Sequence, residues 1–187
     1  MDVVANLLVV AFLLGMAYWW GAQGLFSAVI HLGIVIVAGA IALAVWEPLV
    51  LGFLLGRMPA YAWGVGLLAP FILTLIVLRT AADKLAPRNL HFVNLVNGVG
   101  GAAVGAGAGV LTAGMLLIGL GFLDLPRSLA GYEPYAMAPN GNIERTEAGL
   151  WVPVDEWTAS FYEGLSFGPS LAGGSLTHID EDVRDAI

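Results

Sequence analysis

The chain has 187 residues, of which 59% are apolar and 11% are charged, and its mean hydropathy is +0.86. A soluble domain usually carries about 25% charged residues, so these values argue against a disordered chain, a nucleic-acid-binding protein and a typical cytosolic enzyme. The net charge of −7 divides into +1 for residues 1–123 and −8 for residues 124–187. The sequence therefore predicts an all-α membrane protein: a membrane domain over 1–123, followed by an acidic, mostly irregular tail over 124–187.

Four apolar stretches are long enough to cross the hydrocarbon core, which takes about 20 residues of helix. They span residues 3–20, 25–46, 62–78 and 99–123. Backbone groups in lipid must be hydrogen-bonded within their own segment, so each stretch is predicted to be a transmembrane helix. The first has no basic flank before it and is interpreted as a retained helix, not a cleaved signal. The short link 21–24 predicts a helical hairpin, and 47–61 is expected to lie along the membrane interface or dip partly into it.

Basic residues are concentrated between the third and fourth helices, at Arg79, Lys84 and Arg88. The positive-inside tendency places this loop in the cytoplasm, and both termini then lie outside it. Arg57 and Arg127 fall on the other side, so the bias amounts to three basic residues against two. The protein is therefore expected to cross the membrane several times, with both termini on the extracytoplasmic side.

The fourth helix carries glycine at every fourth position, namely Gly101, Gly105 and Gly109. Residues four apart share a helix face, so these glycines form a stripe on which another backbone can pack closely. Helices in lipid associate through such close packing because the lipid is as apolar as their side chains. The stripe is predicted to be a helix-packing surface, either within the chain or between chains, with a pore lining as a further alternative.

Polar side chains within or next to the predicted spans are few, and three of them are candidate functional residues. His31 is the ionisable group well inside a span, which makes it a candidate proton relay or metal ligand. Because no second ligand lies one turn away, a neutral histidine bonded to Ser27 or to another helix is the favoured interpretation. Asn94 and Asn97 precede the glycines and are predicted to form a polar helix entrance, with either residue as its N-cap. Hydrogen bonds from both asparagines to another helix are the alternative.

The sequence contains no pattern typical of a catalytic, phosphate-binding or zinc site. Nucleophile-elbow serines, a phosphate loop and a histidine pair at zinc spacing are all missing. We therefore predict no enzymatic activity, no catalytic residue, no metal and no cofactor.

The acidic tail begins with an irregular linker over 124–142 and ends in a charged run over 180–185. Between them, Asp155 is a plausible N-cap for a short amphipathic helix near 156–165. Trp157, Phe161 and Leu165 follow at four-residue spacing, with Val154 and Thr158 beside them and Trp151 just before the helix. This aromatic face is expected to pack on the membrane domain, on the membrane surface or on a partner protein.

The layout of residues 1–123 resembles that of the colicin V production (CvpA) family of small bacterial inner-membrane proteins. The shared features are four spans, a short glycine-containing link after the first, a basic loop after the third, and the entry Asn94-Leu95-Val96-Asn97-Gly98. The resemblance implies a bacterial inner-membrane protein concerned with envelope maintenance or export. The family's Asp-Arg pair corresponds to Asn94 and Leu95 here, so roles that depend on those charges do not carry over.

Three functions follow from these observations. The leading hypothesis is a non-enzymatic scaffold or accessory subunit, whose partners are the lipid bilayer, further copies of itself, or other membrane or periplasmic proteins, and not nucleic acid. The second is a homo-oligomeric pore or transporter component. The third is an intramembrane enzyme centred on His31.

Overall fold

The computed structural model describes residues 3–85, 93–123, 135–137, 143–145 and 150–166. Four of its helices are long and apolar enough to cross a membrane, as expected for a multi-pass membrane protein. They are α1 (Val3–Gln23), α2 (Leu25–Leu49, extended by a π-helical turn at Val50–Leu54), α3 (Ala62–Leu85) and α4 (Asn94–Gly121). The membrane domain is thus helical, as the composition predicts.

The helices extend beyond most of the predicted spans. α3 runs to Leu85 instead of residue 78, and α4 begins at Asn94 instead of residue 99. Hydropathy identifies only the residues that can lie in lipid. A helix can extend beyond them into polar sequence, because its backbone hydrogen bonds form there as well. In α3 this continuation carries an ion pair one turn apart, between Arg79 and Asp83 at 2.8 Å.

Residues 47–54, expected to start a separate interfacial segment, instead continue α2. Pro48 lies inside the helix, and the next turn widens so that the amide of Leu55 donates to the carbonyl of Val50 at 2.9 Å. Proline removes one backbone donor, and a π-turn is a known way for a helix to absorb such a disturbance. The turn is apolar and packs on the start of α3, where Val50, Leu54 and Ala62 form a buried cluster.

α4 lies at the centre of the bundle and packs against α1, α2, α3 and a fifth helix, α5 (Val154–Ser166). α1 and α2 meet at the turn at Gly24 but make few contacts along their length, because both lie against α4. We call the end of the bundle that holds this turn the hairpin end, and the opposite end, where α1 begins and α4 ends, the tail end. The main buried cluster joins α2, α3, α4 and α5 through residues such as Val35, Phe71 and Met115.

The described part of the tail contains a pair of strands that the sequence did not predict. Two short strands, β1 (Tyr135–Met137) and β2 (Ile143–Arg145), pair antiparallel with Ala136 opposite Glu144. The short helix predicted near 156–165 is confirmed as α5, which begins two residues earlier and ends one residue later. The remainder of the predicted linker 124–142, the charged run 180–185 and Arg88 of the basic loop lie outside the described residues.

Candidate functional site

The most specific feature of the structure is the place where α5 crosses α4. Val154, at the start of α5, packs with Val9 of α1 and Ala113 of α4. Tyr162, two turns later, belongs to the buried cluster on the α2 side of α4. α5 therefore passes over α4 from the α1 side to the α2 side, in the space left open between those two helices.

Glycines make this crossing possible. A side chain at Gly114 of α4 would collide with the Thr158 side chain and with the carbonyl oxygen of Val154. A side chain at Gly39 of α2 would collide with the phenol of Tyr162. The two missing side chains create the space into which the buried face of α5 fits, since close helix contacts require small residues at the crossing.

Hydrogen bonds hold α5 and the residues just before it, 150–153, in place. The Tyr162 hydroxyl donates to the carbonyl oxygen of Val35 at 3.1 Å, and the Thr158 hydroxyl donates to that of Val110 at 3.3 Å. Before the helix, the amide of Trp151 donates to Oδ1 of Asn6 at 2.7 Å. These three bonds tie the tail to α2, α4 and α1 respectively.

The buried face of α5 overlaps the predicted apolar face only in part. Val154, Thr158 and Tyr162 are buried, whereas Trp157 remains 53% exposed and Phe161 and Leu165 are partly buried at the edge. Val154 and Thr158, predicted to lie beside the aromatic stripe, are thus at the centre of the face that packs, and Phe161 packs at its edge. The contact of Trp151, Trp157, Phe161 and Leu165 with a partner or the membrane surface stays a prediction, and Trp151 and Trp157 are both more than half exposed.

Asp155 is not the N-cap of this helix. α5 begins at Val154, and the amide of Trp157 bonds to the carbonyl of Pro153 at 3.0 Å. Asp155 and Glu156 instead lie in the first turn, where the positive end of the helix dipole favours carboxylates.

The predicted glycine stripe packs within the chain. Gly101, Gly105 and Gly109 are all buried and face the second half of α1. A side chain at Gly101 would meet the carbonyl oxygen of Trp20 at 2.7 Å, and one at Gly105 would collide with the Trp20 side chain. The stripe is therefore occupied by α1, and the described structure leaves it no room for a second chain or a pore.

Asn97 caps a helix other than its own. Its Oδ1 accepts the amide of Leu25, the first residue of α2, at 3.0 Å. The same side chain fills the place where a Cβ of Gly24 would stand, and Gly24 also has a φ of +98°, which favours glycine. Asn97 thus follows the alternative prediction, a hydrogen bond to another helix, whereas the N-cap prediction is wrong, because the cap residue of α4 is Val93 and no side chain bonds there. Asn94 is exposed in the first turn of α4.

His31 lies near the hairpin end in an aromatic contact and not in a hydrogen bond to Ser27. Its ring stacks on Trp20 with centroids 4.3 Å apart, and the Ser27 hydroxyl donates to Gln23 at 3.4 Å instead. The guanidinium of Arg79 lies 5.0 Å from the Trp20 ring centroid. Among the described residues, Nδ1 of His31 and Nε1 of Trp20 are buried atoms without a hydrogen-bond partner.

Sequence reasoning missed Asn6, Gly39, Gly114 and Tyr162 as the residues that dock α5. A weak signal was present, since Val154, Thr158 and Tyr162 follow at four-residue spacing and two of them carry hydroxyls that a helix in lipid must satisfy. No pattern in α2 or α4 marks Gly39 or Gly114 as its partner. Within the ranges that the structure describes, no three histidine, aspartate or glutamate side chains converge as metal ligands would.

Comparison with known proteins found no match to this chain among protein-family models, curated proteins or solved structures. The resemblance to the CvpA family therefore stays a prediction, and what the chain can do must be argued from its own residues.

Proposed function

We propose that this protein is a non-enzymatic scaffold or accessory subunit of the bacterial inner membrane, with both termini outside the cytoplasm. The observation that carries the proposal is the docking of α5 on the bundle. Three hydrogen bonds from different helices fix the segment 150–166, and this anchors the acidic tail next to the membrane domain. A docked, acidic segment with exposed tryptophans is what a subunit that binds other proteins requires.

Trp151 and Trp157 are the residues proposed to contact a partner protein. They are 57% and 53% exposed although they lie beside tightly packed residues. Tryptophan dominates binding energy at interfaces because it buries a large, rigid surface. Trp157 lies on a flank of α5, between its buried stripe and its outward face, so a partner can reach it without displacing the helix.

Native mass spectrometry of the complex, extracted gently from its own membrane, tests this function. We expect other proteins in fixed ratio with the 19.5 kDa chain, and we expect Trp151→Ala with Trp157→Ala to release them. Trp19→Ala, which changes an exposed tryptophan at the hairpin end of α1, is the matched control and should retain them. The same set of chains in all three samples would contradict the proposal.

A homo-oligomeric pore or transporter component is the alternative function. It is favoured by the face of α5 opposite its buried stripe, where Glu156, Ser160 and Glu163 are exposed, because a wet pathway requires polar side chains. The same measurement separates the two functions, since multiples of this chain alone would favour the pore and additional proteins would favour the accessory subunit.

A further inference from the structure

The non-helical segment 150–153, just before α5, carries one of the two tryptophans proposed to contact a partner. Leu150 and Val152 pack against the buried cluster that contains Val154. Trp151, which lies between them in the chain, is 57% exposed. The segment therefore turns its two smaller apolar side chains inwards and its largest one outwards.

Apolar contact does not account for this choice. Tryptophan has more apolar surface to bury than leucine or valine, and the hydrophobic effect has no direction. A segment held by apolar contacts alone would gain by turning Trp151 towards the cluster. The observed orientation thus requires a directional contact, and hydrogen bonds are directional.

Asn6 of α1 supplies that contact. Its Oδ1 accepts the amide of Trp151 at 2.7 Å, across 145 positions of sequence. Asn6 is only 5% exposed, and it lies in a helix that packs along α4 through the glycine stripe. The acceptor is therefore held by the membrane domain and not by the tail.

The other end of the segment is fixed by α5. Val154 is fully buried, and its amide donates to the carbonyl of Val152 at 2.8 Å. Only Val152 and Pro153 lie between Val154 and Trp151, and the proline ring removes one rotation of the backbone. The bond from Asn6 gives the segment a second fixed point, without which residues 150–152 would be attached to the docked helix at one end only.

We propose that Asn6 is a positioning residue for the partner surface: its bond to the backbone at position 151 keeps the Trp151 side chain turned outwards. The buried side chain of Asn6 acts through Trp151 and does not itself contact the partner. The inference rests on the proposed function for the role of Trp151, but the orientation at position 151 is measurable without a partner.

Distances between spin labels, measured by pulsed spin resonance in phospholipid vesicles, test the orientation. The chain has no cysteine, so Trp151→Cys with Leu73→Cys provides one label pair and retains the backbone amide at position 151. Leu73 is an exposed reference position on α3. A second pair, Ser160→Cys with Leu73→Cys, reports whether α5 stays docked. An excess of unlabelled chain restricts the measured distances to those within one chain.

We expect Asn6→Leu to broaden the distance distribution at position 151 at least twofold and to leave that at position 160 unchanged. α5 keeps its own hydrogen bonds, those of Thr158 and Tyr162. Asn6→Ala should act in the same way, which separates loss of the acceptor from a clash of the leucine. Asn94→Leu makes the same change at an exposed position and should alter neither distribution.

Two results of this measurement would overturn the inference. An unchanged distribution at position 151 in Asn6→Leu and Asn6→Ala would show that the segment keeps its orientation without the bond. Equal broadening at positions 151 and 160 in both variants would show that Asn6 holds α5 as a whole and does not position Trp151.

A double-mutant cycle, read by native mass spectrometry, tests the consequence for partner binding. Asn6→Leu should lower the share of chains that retain partner proteins several-fold, and should lower it no further where Trp151→Ala is already present. Independent losses from the two changes would show that Asn6 does not act through Trp151 and would overturn the inference.

The two proposals fail separately. If the tryptophan variants release the partners and Asn6→Leu does not, the positioning role is wrong and the accessory function stands. If the partners stay bound when both tryptophans are changed, the accessory function is wrong, and the label distances still decide whether Asn6 orients position 151.

Discussion

The two ends of α4 pack by different means. Towards the hairpin end, Gly101, Gly105 and Gly109 receive α1 in a contact made by apolar groups and backbone. Towards the tail end, Gly114 receives α5, and hydroxyls at Thr158 and Tyr162 bond to helix carbonyls beside it. The first contact follows helix periodicity over several turns, whereas the second is a single crossing point. A long periodic contact supports the whole bundle, and a point contact supports one helix.

The largest expected effect comes from filling the periodic contact with Gly105→Leu. The new side chain collides with Trp20, and overpacking of this kind costs about 3 kcal/mol, or roughly 6–12 °C in Tm for a chain of this size. Thermal unfolding in detergent measures it. Gly107→Leu is the control, because a Cβ there meets nothing within 4 Å. Equal Tm values for the two variants would show that α1 does not pack on this face.

A smaller and more local effect is expected from filling the crossing point with Gly114→Leu. This substitution displaces α5 through Thr158 and Val154 but leaves the contact between α1 and α4 intact. Limited proteolysis should cut within 150–166 at least several-fold faster, while Tm falls less than in Gly105→Leu. Gly164→Ala, at an open position on α5, should leave the cleavage rate unchanged. A Tm loss as large as that of Gly105→Leu would mean that α5 supports the whole bundle.

The smallest effect is expected from Tyr162→Phe, which removes one hydrogen bond and keeps the ring. The loss should be about 1 kcal/mol or less, because the Val35 carbonyl still accepts a helix amide. The proteolysis rate of 150–166 is the sensitive readout, and Tyr18→Phe at an exposed position is the control. If Tyr162→Phe undocks α5 as completely as Gly114→Leu, the hydroxyl and not the shape of the crossing holds the helix.

The sequence predicted the elements well but their partners poorly. Hydropathy located all four long helices because the cost of a polar group in lipid is set residue by residue. The glycine stripe was recognisable because it repeats with the helix. The partner of Asn97, by contrast, lies 72 residues away at Leu25, and no local pattern indicates that an asparagine in one helix caps another.

The site around α5 likewise has an element that the sequence predicted and contacts that it did not. The helix itself was predictable from its apolar spacing, but the centre of its buried face was not, because the larger aromatic residues Trp157 and Phe161 outweigh Thr158 in any count of hydrophobicity. Only the packed structure shows that Thr158 and Tyr162 are inside, where their hydroxyls find carbonyl acceptors. Burial of a polar residue is decided by its partner, which the local sequence does not contain.

By itself, the sequence determined a helical chain with four membrane-spanning segments, an acidic tail and a glycine face that needs a close neighbour. These follow from composition and period, which act locally. Only the tertiary structure decided that α1 is that neighbour and that α5 enters the space between α1 and α2 at Gly39 and Gly114. The physical reason is that the effect of a glycine on packing depends on which group fills the space that a side chain would take. That group comes from a distant part of the chain, so the local sequence does not identify it.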